Sequence, residues 1–203
     1  MFAQKASEYT ERFRRILPGL VEDLFWREWS PSAAKTCKCG QHTATLRCDD
    51  CCDDNCLCDS CMNRCHMRTP FHRVRRWNGR FFQREPPKAE ISLGHTGNQC
   101  PSPRAAVKVE VVHTTGTFST TVHPCGCDAA GRGEQRILPR QFMRHGLFPG
   151  SFDTSQVHWA FTFAYLDHWL ATSHHAKISV MDYWATSWFL TTGLPAERVS
   201  LSV

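Results

Sequence analysis

The sequence lacks a long uninterrupted apolar segment. Its longest apolar run, residues 157–171, is interrupted by His158, Asp167 and His168 and is shorter than the roughly 20 residues that a membrane helix needs. Residues 1–20 carry charges where a signal peptide would have its apolar region. We therefore expect no membrane partner, and a nuclear or cytoplasmic protein that is not secreted.

Cysteine is abundant by contrast, but unevenly placed. Twelve cysteines occur in 203 residues, a lower density than small secreted disulfide proteins have. In a reducing compartment, clustered cysteines more often bind metal than form disulfides. Nine of the twelve lie between Cys37 and Cys65, where apolar periodicity is nearly absent. Because such a segment cannot build a hydrocarbon core of its own, we expect metal to hold it together.

The cysteine-rich segment presents its candidate ligands in four closely spaced pairs. These are Cys37 with Cys39, Cys48 with Cys51, Cys58 with Cys61, and His66 with His72. Zinc takes four tetrahedral thiolate or imidazole ligands at about 2.0 to 2.3 Å, and a short spacer lets one turn of chain present two of them. In an interleaved cross-brace, as in B-box and ZZ-type fingers, the first and third pairs share one ion and the second and fourth share another. We expect this arrangement, with sequential pairing as the alternative.

Three further cysteines leave the register of the ligands open. Cys52, Cys56 and Cys65 each lie close to a proposed ligand. Cys52 could replace Cys51, and Cys65 could replace His66. A spare thiol is the expected role of each.

A third candidate site lies farther along the chain. His95 and Cys100 occur in "LGHTGNQCPSP", and Cys125 and Cys127 flank Gly126 in "HPCGC". Since glycine has no side chain, both thiolates of "CGC" can turn toward one point. A hairpin between the two segments would bring them together as a Cys3His set. The sequence therefore predicts two or three zinc ions.

Basic side chains follow the first cysteine cluster. Seven arginines occur from Arg64 to Arg84 without an acidic residue, whereas five aspartates lie just upstream. Candidate phosphate contacts are Arg73, Arg75, Arg76 and Arg80. Alternatively, the run neutralises the aspartates and thiolates, because nine thiolates and three zinc ions would reduce the formal net charge of +5 to about +2. Both interpretations stay open.

The rest of the chain predicts an α+β protein. Apolar residues at spacings of three and four predict an amphipathic helix over residues 5–29, which Pro18 kinks or splits. Packing on its own domain is the expected use of this helix, and partner binding is the alternative. Alternation over residues 106–123 predicts a β-hairpin that ends on "CGC", and two helices are predicted over residues 154–171 and 177–191. The fold is thus a small zinc-stabilised cross-brace finger, a β-hairpin and zinc-knuckle region, and a C-terminal pair of helices.

The order of the motifs resembles a known family. The succession is "CKCG", "LRCDDC", "LCDSCMNRCHMRTPFHRVRRWNGRFF", "LGHTGNQCPSP", "HPCGC", "RQFMRHGLFPG" and "KISVMDYWATSWFLTTGLP". It is similar, over roughly residues 35–195, to the second variant of the CxC cysteine-cluster domains attached to KDZ (Kyakuja-Dileera-Zisupton) transposases. This resemblance implies a zinc-chelating domain with an inferred DNA-binding role, placed before a catalytic domain with an RNase H-like fold.

The resemblance also sets expectations for domains and activity. The predicted divisions are residues 1–34, an N-terminal helical segment; 35–84, the B-box- or ZZ-like zinc cluster; 85–153, the hairpin region with the third zinc site; and 154–203, helices at the start of a transposase region. A two-metal nuclease needs several converging carboxylates, and the six acidic residues of 128–203 form no such motif. We expect a non-catalytic chain without a small-molecule substrate. Its expected partner is DNA, or alternatively a transposase catalytic domain or another protein.

Overall fold

The computed structural model describes residues 2–29, 34–52, 55–85, 89–95, 98–127, 137–151, 153 and 156–194. These residues form a mixed α+β structure with five helices and two sheets. They divide into two compact units, the first within residues 1–66 and 73–85, the second within residues 67–72 and 86–203. Over the described ranges, no helix is long and apolar enough to cross a membrane.

The first unit contains two helices and a small sheet. Its elements in chain order are α1 (Phe2–Trp29), β1 (Leu46–Cys48), α2 (Asp59–His66), β2 (Val74–Trp77) and β3 (Phe82–Arg84). The strands pair antiparallel in the order β1-β2-β3. The predicted helix over residues 5–29 is confirmed as one continuous helix that includes Pro18, so proline does not split it.

Cysteines make up much of the core of this unit. Ala44, Leu46, Leu57, Met62 and Phe82 are buried together with five cysteine side chains. Trp77 packs against this cluster, and its ring centroid lies 5.2 Å from that of Phe82. So few apolar side chains cannot supply the burial that stabilises an ordinary domain. That a metal ion supplies the missing stability stays a prediction.

Arg47 joins β1 to the C-terminal end of α1. Arg47 is 1% exposed, and the central carbon of its guanidinium lies 4.1 Å from the centroid of the Phe82 ring. It donates hydrogen bonds to the carbonyl oxygen of Arg27 and to Glu28 Oε1, the latter at 3.1 Å. A cation at a helix C-terminus is favourable because the last carbonyls lack partners within the helix. Arg47 thereby connects β1 to the last turn of α1.

The second unit is built on a mixed five-stranded sheet. Its strands are β4 (Ala89–Ser92), β5 (Val107–His113), β6 (Gly116–His123), β7 (Leu147–Pro149) and β8 (Trp159–Thr162), in the order β4-β6-β5-β8-β7. The predicted hairpin is confirmed as the antiparallel pair β5–β6, followed directly by "CGC". Val109, Val111, Phe118 and Val122 are fully or almost fully buried in the core.

Three helices complete the second unit: α3 (Leu138–Arg144), α4 (Phe163–Ala176) and α5 (Val180–Thr192). The prediction of a helix over residues 154–171 is wrong before Phe163, because Trp159–Thr162 forms β8 and pairs parallel with β5. The aromatic residues of "WAFTFAY" recur at every second position, a strand pattern that continues into the first turn of α4. The predicted helix over 177–191 is confirmed as α5, which ends at Gly193 in the left-handed conformation.

Candidate metal centres

The first group of candidate ligands consists of Cys37, Cys39, Cys58 and Cys61. Its four sulfur atoms lie within 4.8 Å of one another. Cys37 and Cys39 lie in a tight turn, closed by the hydrogen bond from Gly40 N to Cys37 O at 2.8 Å. Cys58 precedes α2, and Cys61 lies in the first turn of that helix, where the N–H of Met62 donates to Cys58 O. A turn and a helix start thus bring two ligand pairs together.

The second group consists of Cys48, Cys51, His66 and His72, whose ligand atoms also lie within 4.8 Å of one another. Cys48 ends β1 and His66 ends α2. Cys51 Sγ lies 3.4 Å from His66 Nε2, while His66 Nδ1 lies 3.0 Å from Met62 O. Because a carbonyl oxygen only accepts, Nδ1 is the donor, and the lone pair of Nε2 faces the thiol. This is the tautomer that a metal-ligating histidine needs.

The third group consists of His95, Cys100, Cys125 and Cys127. Cys125 Sγ lies 3.4 Å from the sulfur atoms of both Cys100 and Cys127, and His95 Nε2 lies 3.1 Å from Cys127 Sγ. Gly126 is required here for close packing, because a Cβ at this position would lie 2.6 Å from the carbonyl oxygen of Ser102. That carbonyl accepts a hydrogen bond from Gly126 N at 3.0 Å, which holds "CGC" beside the segment of Cys100.

The distances within the groups fit a tetrahedral zinc site. Zn–S bonds of about 2.3 Å place two sulfur ligands about 3.8 Å apart, and a sulfur and an imidazole nitrogen about 3.5 Å apart. The observed S–S separations are 3.8 Å for Cys39 and Cys58 and 3.4 Å for Cys100 and Cys125. All twelve cysteines are free thiols. The residues present therefore suit a metal ion.

The pKa values of the thiols show which ionisations a bound cation would have to favour. Backbone N–H groups of Cys39 and Cys58 lower the pKa of Cys37 to about 6, whereas burial raises the pKa of Cys61 to about 12. Burial likewise raises the pKa of Cys48 to about 12 and that of Cys125 to about 11. Crowded buried thiols resist a second ionisation, because like charges repel in a medium of low polarity. A divalent cation removes that repulsion and lets all the ligands of a group ionise.

The structure thus brings all twelve predicted ligands together in three groups. The residues of the first two groups alternate along the chain, and the zinc cross-brace itself stays a prediction. Cys52 and Cys65 are exposed, and Cys56 is buried in the core of the first unit; none of the three belongs to a group among the described residues. That metal occupies these groups stays a prediction.

Two side chains outside the cysteine motifs hold the third group in place. The amide of Gln141 bridges the main chain of Cys125: Cys125 N donates to Oε1 at 2.9 Å, and Nε2 donates to Cys125 O at 3.1 Å. His145, the C-cap residue that directly follows α3, accepts a hydrogen bond from Gly94 N at 2.7 Å. Burial lowers the pKa of His145, which favours the neutral ring that can accept this bond. Gln141 and His145 thereby position both segments of the third group.

Replacing Gln141 tests this positioning. Gln141→Leu leaves the buried N–H and C=O of Cys125 without partners, at about 1 to 3 kcal/mol each. We expect a loss of about 2 to 4 kcal/mol in the free energy of unfolding and a 10- to 100-fold weaker affinity at one zinc site. Denaturant unfolding and competition with a chromophoric zinc chelator measure the two effects. Met143→Ala, an exposed position on the same helix, is the matched control, and equal effects of both variants would contradict the role of Gln141.

Three of the four predicted phosphate contacts are engaged in ion pairs. Arg73 Nη2 lies 2.6 Å from Asp50 Oδ1, and Arg73 N donates to Asp50 Oδ2 at 2.6 Å. Arg75 Nε lies 2.5 Å from Asp49 Oδ2. These two ion pairs hold residues 48–51, whose first and last members, Cys48 and Cys51, belong to the second group.

Arg76 makes a similar pair of contacts on the other side of β2. It lies 2.7 Å from Asp59 at the start of α2 and 3.0 Å from Glu85 after β3. Hydrogen bonds to these two carboxylates raise its pKa. Arg80 differs: it is exposed in the turn between β2 and β3, where its N–H and that of Phe81 donate to Asn78 Oδ1. Arg73, Arg75 and Arg76 therefore neutralise nearby carboxylates in this structure.

The three groups place the chain among proteins whose clustered cysteine and histidine side chains could hold metal ions. A family model described as "CxC2 like cysteine cluster associated with KDZ transposases" matches residues 88–194, just over half of the chain. The chain belongs to this family. No curated protein and no solved structure matches the chain. The matched range includes the third group and begins after the first two.

Proposed function

We propose that this chain is a zinc-binding, non-catalytic module of a KDZ transposase-like protein. The observation that carries the proposal is the convergence of twelve cysteine and histidine side chains in three groups of four. Each group combines thiols with distances suited to zinc, and the first two use the interleaved order that gives small fingers a metal core. Zinc is the metal that mixed thiolate and imidazole ligands in tetrahedral groups favour. The metal content of the purified chain tests this part directly.

The non-catalytic assignment rests on how the acidic side chains are used. Asp182 accepts a hydrogen bond from the hydroxyl of Ser179 at 2.6 Å, and Ser179 in turn caps the N-terminus of α5. Asp49, Asp50 and Asp59 form ion pairs with arginines. The metal-binding groups found among the described residues contain no carboxylate, whereas phosphoryl transfer through two metals uses several.

The module contacts DNA, and Arg80 is its best candidate among the predicted contacts. A phosphate would have to displace a carboxylate from Arg73, Arg75 or Arg76, whereas Arg80 projects from an exposed turn. A phosphate contact contributes to affinity through counterion release and carries no base sequence information. The expected interaction is therefore weak, independent of sequence and sensitive to salt.

Substitution of Arg80 tests the DNA contact. Arg80→Ala should weaken binding to a short DNA duplex several-fold and reduce the slope of log affinity against log salt by about 1, because one phosphate contact is lost. Fluorescence anisotropy at several salt concentrations measures both quantities. Arg14→Ala removes an exposed arginine from α1 and is the matched control. Binding that does not depend on salt, or none below about 100 μM in low salt, would contradict DNA binding.

A B-box-like protein-interaction module is the second candidate function. The observation in its favour is apolar exposure on the last two helices: Leu170, Val180, Met181 and Phe189 are each 47–59% exposed. Exposed apolar side chains that cluster on one region are typical of protein interfaces. Binding of a transposase catalytic domain that is unaffected by Arg80→Ala, combined with no affinity for DNA, would favour this candidate.

A further inference from the structure

Helix α1 exposes an apolar stripe along its length. Seven large apolar side chains recur at spacings of three and four residues, and each is 39–69% exposed: Tyr9, Phe13, Ile16, Leu17, Leu20, Val21 and Leu24. Every residue from 8 to 29 is exposed. Within the described part of the chain, the expectation that this helix packs on its own domain is therefore not met. An amphipathic stripe of this kind stabilises a helix only when something covers it.

The size of the stripe matches an interface between two helices. A large apolar side chain that is about half exposed presents about 85 Å², so seven of them present about 600 Å². Pairing two such stripes would bury about 1,200 Å² in total, which is the lower limit for specific protein interfaces. A second copy of α1 therefore supplies enough apolar surface to cover the first.

The charges of the helix select the orientation of that pairing. Before the middle of the stripe, residues 8–15 carry three arginines and two glutamates and are net basic; after it, residues 22–28 carry three acidic residues and one arginine and are net acidic. Parallel helices would place the basic segments side by side, whereas antiparallel helices place the basic segment of one copy against the acidic segment of the other. Opposite charges across a helix pair favour the arrangement that brings them together.

One charge pair follows from helix geometry. Arg12 and Asp23 are eleven residues apart, about three turns, so both lie on the same flank of the stripe. In an antiparallel pair whose twofold axis passes near Leu17, Arg12 of each copy lies opposite Asp23 of the other. Arg12 also lies 2.6 Å from Glu8 on its own helix, but both side chains are at least 64% exposed, and such pairs are weak and exchange readily.

We propose that two copies of this chain associate through α1, with the helices antiparallel and Arg12 paired with Asp23 across the interface. The proposal does not depend on DNA binding, because its surface is apolar and lies outside the arginine turn. It also does not use any metal ligand, so zinc content reports separately on the integrity of each variant.

Charge reversal at the interface tests the proposal. Asp23→Arg creates like charges at two symmetric places and should weaken dimerisation about tenfold, and Leu20→Glu should abolish it at micromolar concentrations. The double change Arg12→Asp with Asp23→Arg restores opposite charges and should recover the affinity to within about threefold. Glu22→Arg makes the same charge change on the face opposite the stripe and is the matched control. Sedimentation equilibrium of the full chain, at low salt and with zinc content verified, measures the dissociation constant.

The outcomes separate this interface from other occupants of the stripe. A dimer weakened by Asp23→Arg, restored by the double change and insensitive to Glu22→Arg supports antiparallel pairing. If the chain stays monomeric up to about 100 μM, a concentration more than tenfold above a micromolar dissociation constant, the proposal is wrong. The proposal is also wrong if Leu20→Glu and Asp23→Arg leave the dimer unchanged, or if Glu22→Arg weakens it as strongly as Asp23→Arg.

Discussion

Native mass spectrometry of the purified chain is expected to show three zinc ions per molecule. Each of the three groups offers four ligand atoms within 4.8 Å, which is one tetrahedral site. Removing the metal with a chelator should abolish the cooperative unfolding transition of the first unit. Structural zinc supplies on the order of 10 kcal/mol in small fingers, whereas a whole domain is stable by about 5 to 15 kcal/mol.

The count of ions discriminates among the three groups. Two ions would exclude one group and point first to the third, whose residues occur farther along the chain than those of the interleaved groups. No zinc and no other bound metal would overturn the proposed function altogether. Elemental analysis of the same sample identifies the metal, and circular dichroism before and after chelation, with zinc added back as the control, tests whether the loss of structure is reversible.

The second large effect is expected from Cys61→Ser on α2. Cys61 is 2% exposed and belongs to the first group, so its loss leaves three ligands and buried thiolates without full compensation. We expect zinc content to fall from three ions to at most two, and the thermal midpoint to fall by more than about 10 °C. Metal analysis and thermal unfolding measure the two changes.

Cys65→Ser is the matched control for Cys61→Ser. Cys65 lies one turn later on the same helix but is exposed and outside the three groups. The substitution should change neither zinc content nor thermal stability. If Cys65→Ser lost an ion instead, Cys65 would replace His66 as a ligand. If neither variant lost one, the first group would not be a metal site.

The candidate ligand pairs could be recognised in the sequence, because short spacing is a local property. A C-x-C or C-x2-C pair brings its two sulfurs together whatever surrounds it, so each pair was recognisable alone. Which pairs share an ion depends on the fold, since α2 presents Cys61 to one group and His66 to the other. The interleaved choice followed the cross-brace of B-box and ZZ-type fingers, with sequential pairing left open; the relative positions of the pairs depend on the pairing of β1 with β2.

Other features were not predictable from local patterns. The role of Gln141 depends on α3 approaching Cys125, and only the spacing of Gln141 and His145 by one helical turn hinted at a shared role. The strand β8 was interpreted as helix because its four residues are followed immediately by the apolar residues of α4. The ion pairs of Arg73 and Arg75 with upstream aspartates required the long-range register of β2 against β1, which charge counting alone does not give.

The short helix α2 carries ligands of two groups on one rigid element. Cys61 and His66 lie in its first and last turns, and Met62 O accepts the hydrogen bond from His66 Nδ1. If both groups bind zinc, an ion that orders the first group would also order the histidine that the second ion needs. Loading of the two groups should then be cooperative, so that at limiting metal most molecules carry both ions or neither. In a cell where free zinc is scarce, the two groups would then respond to zinc at a threshold concentration instead of gradually.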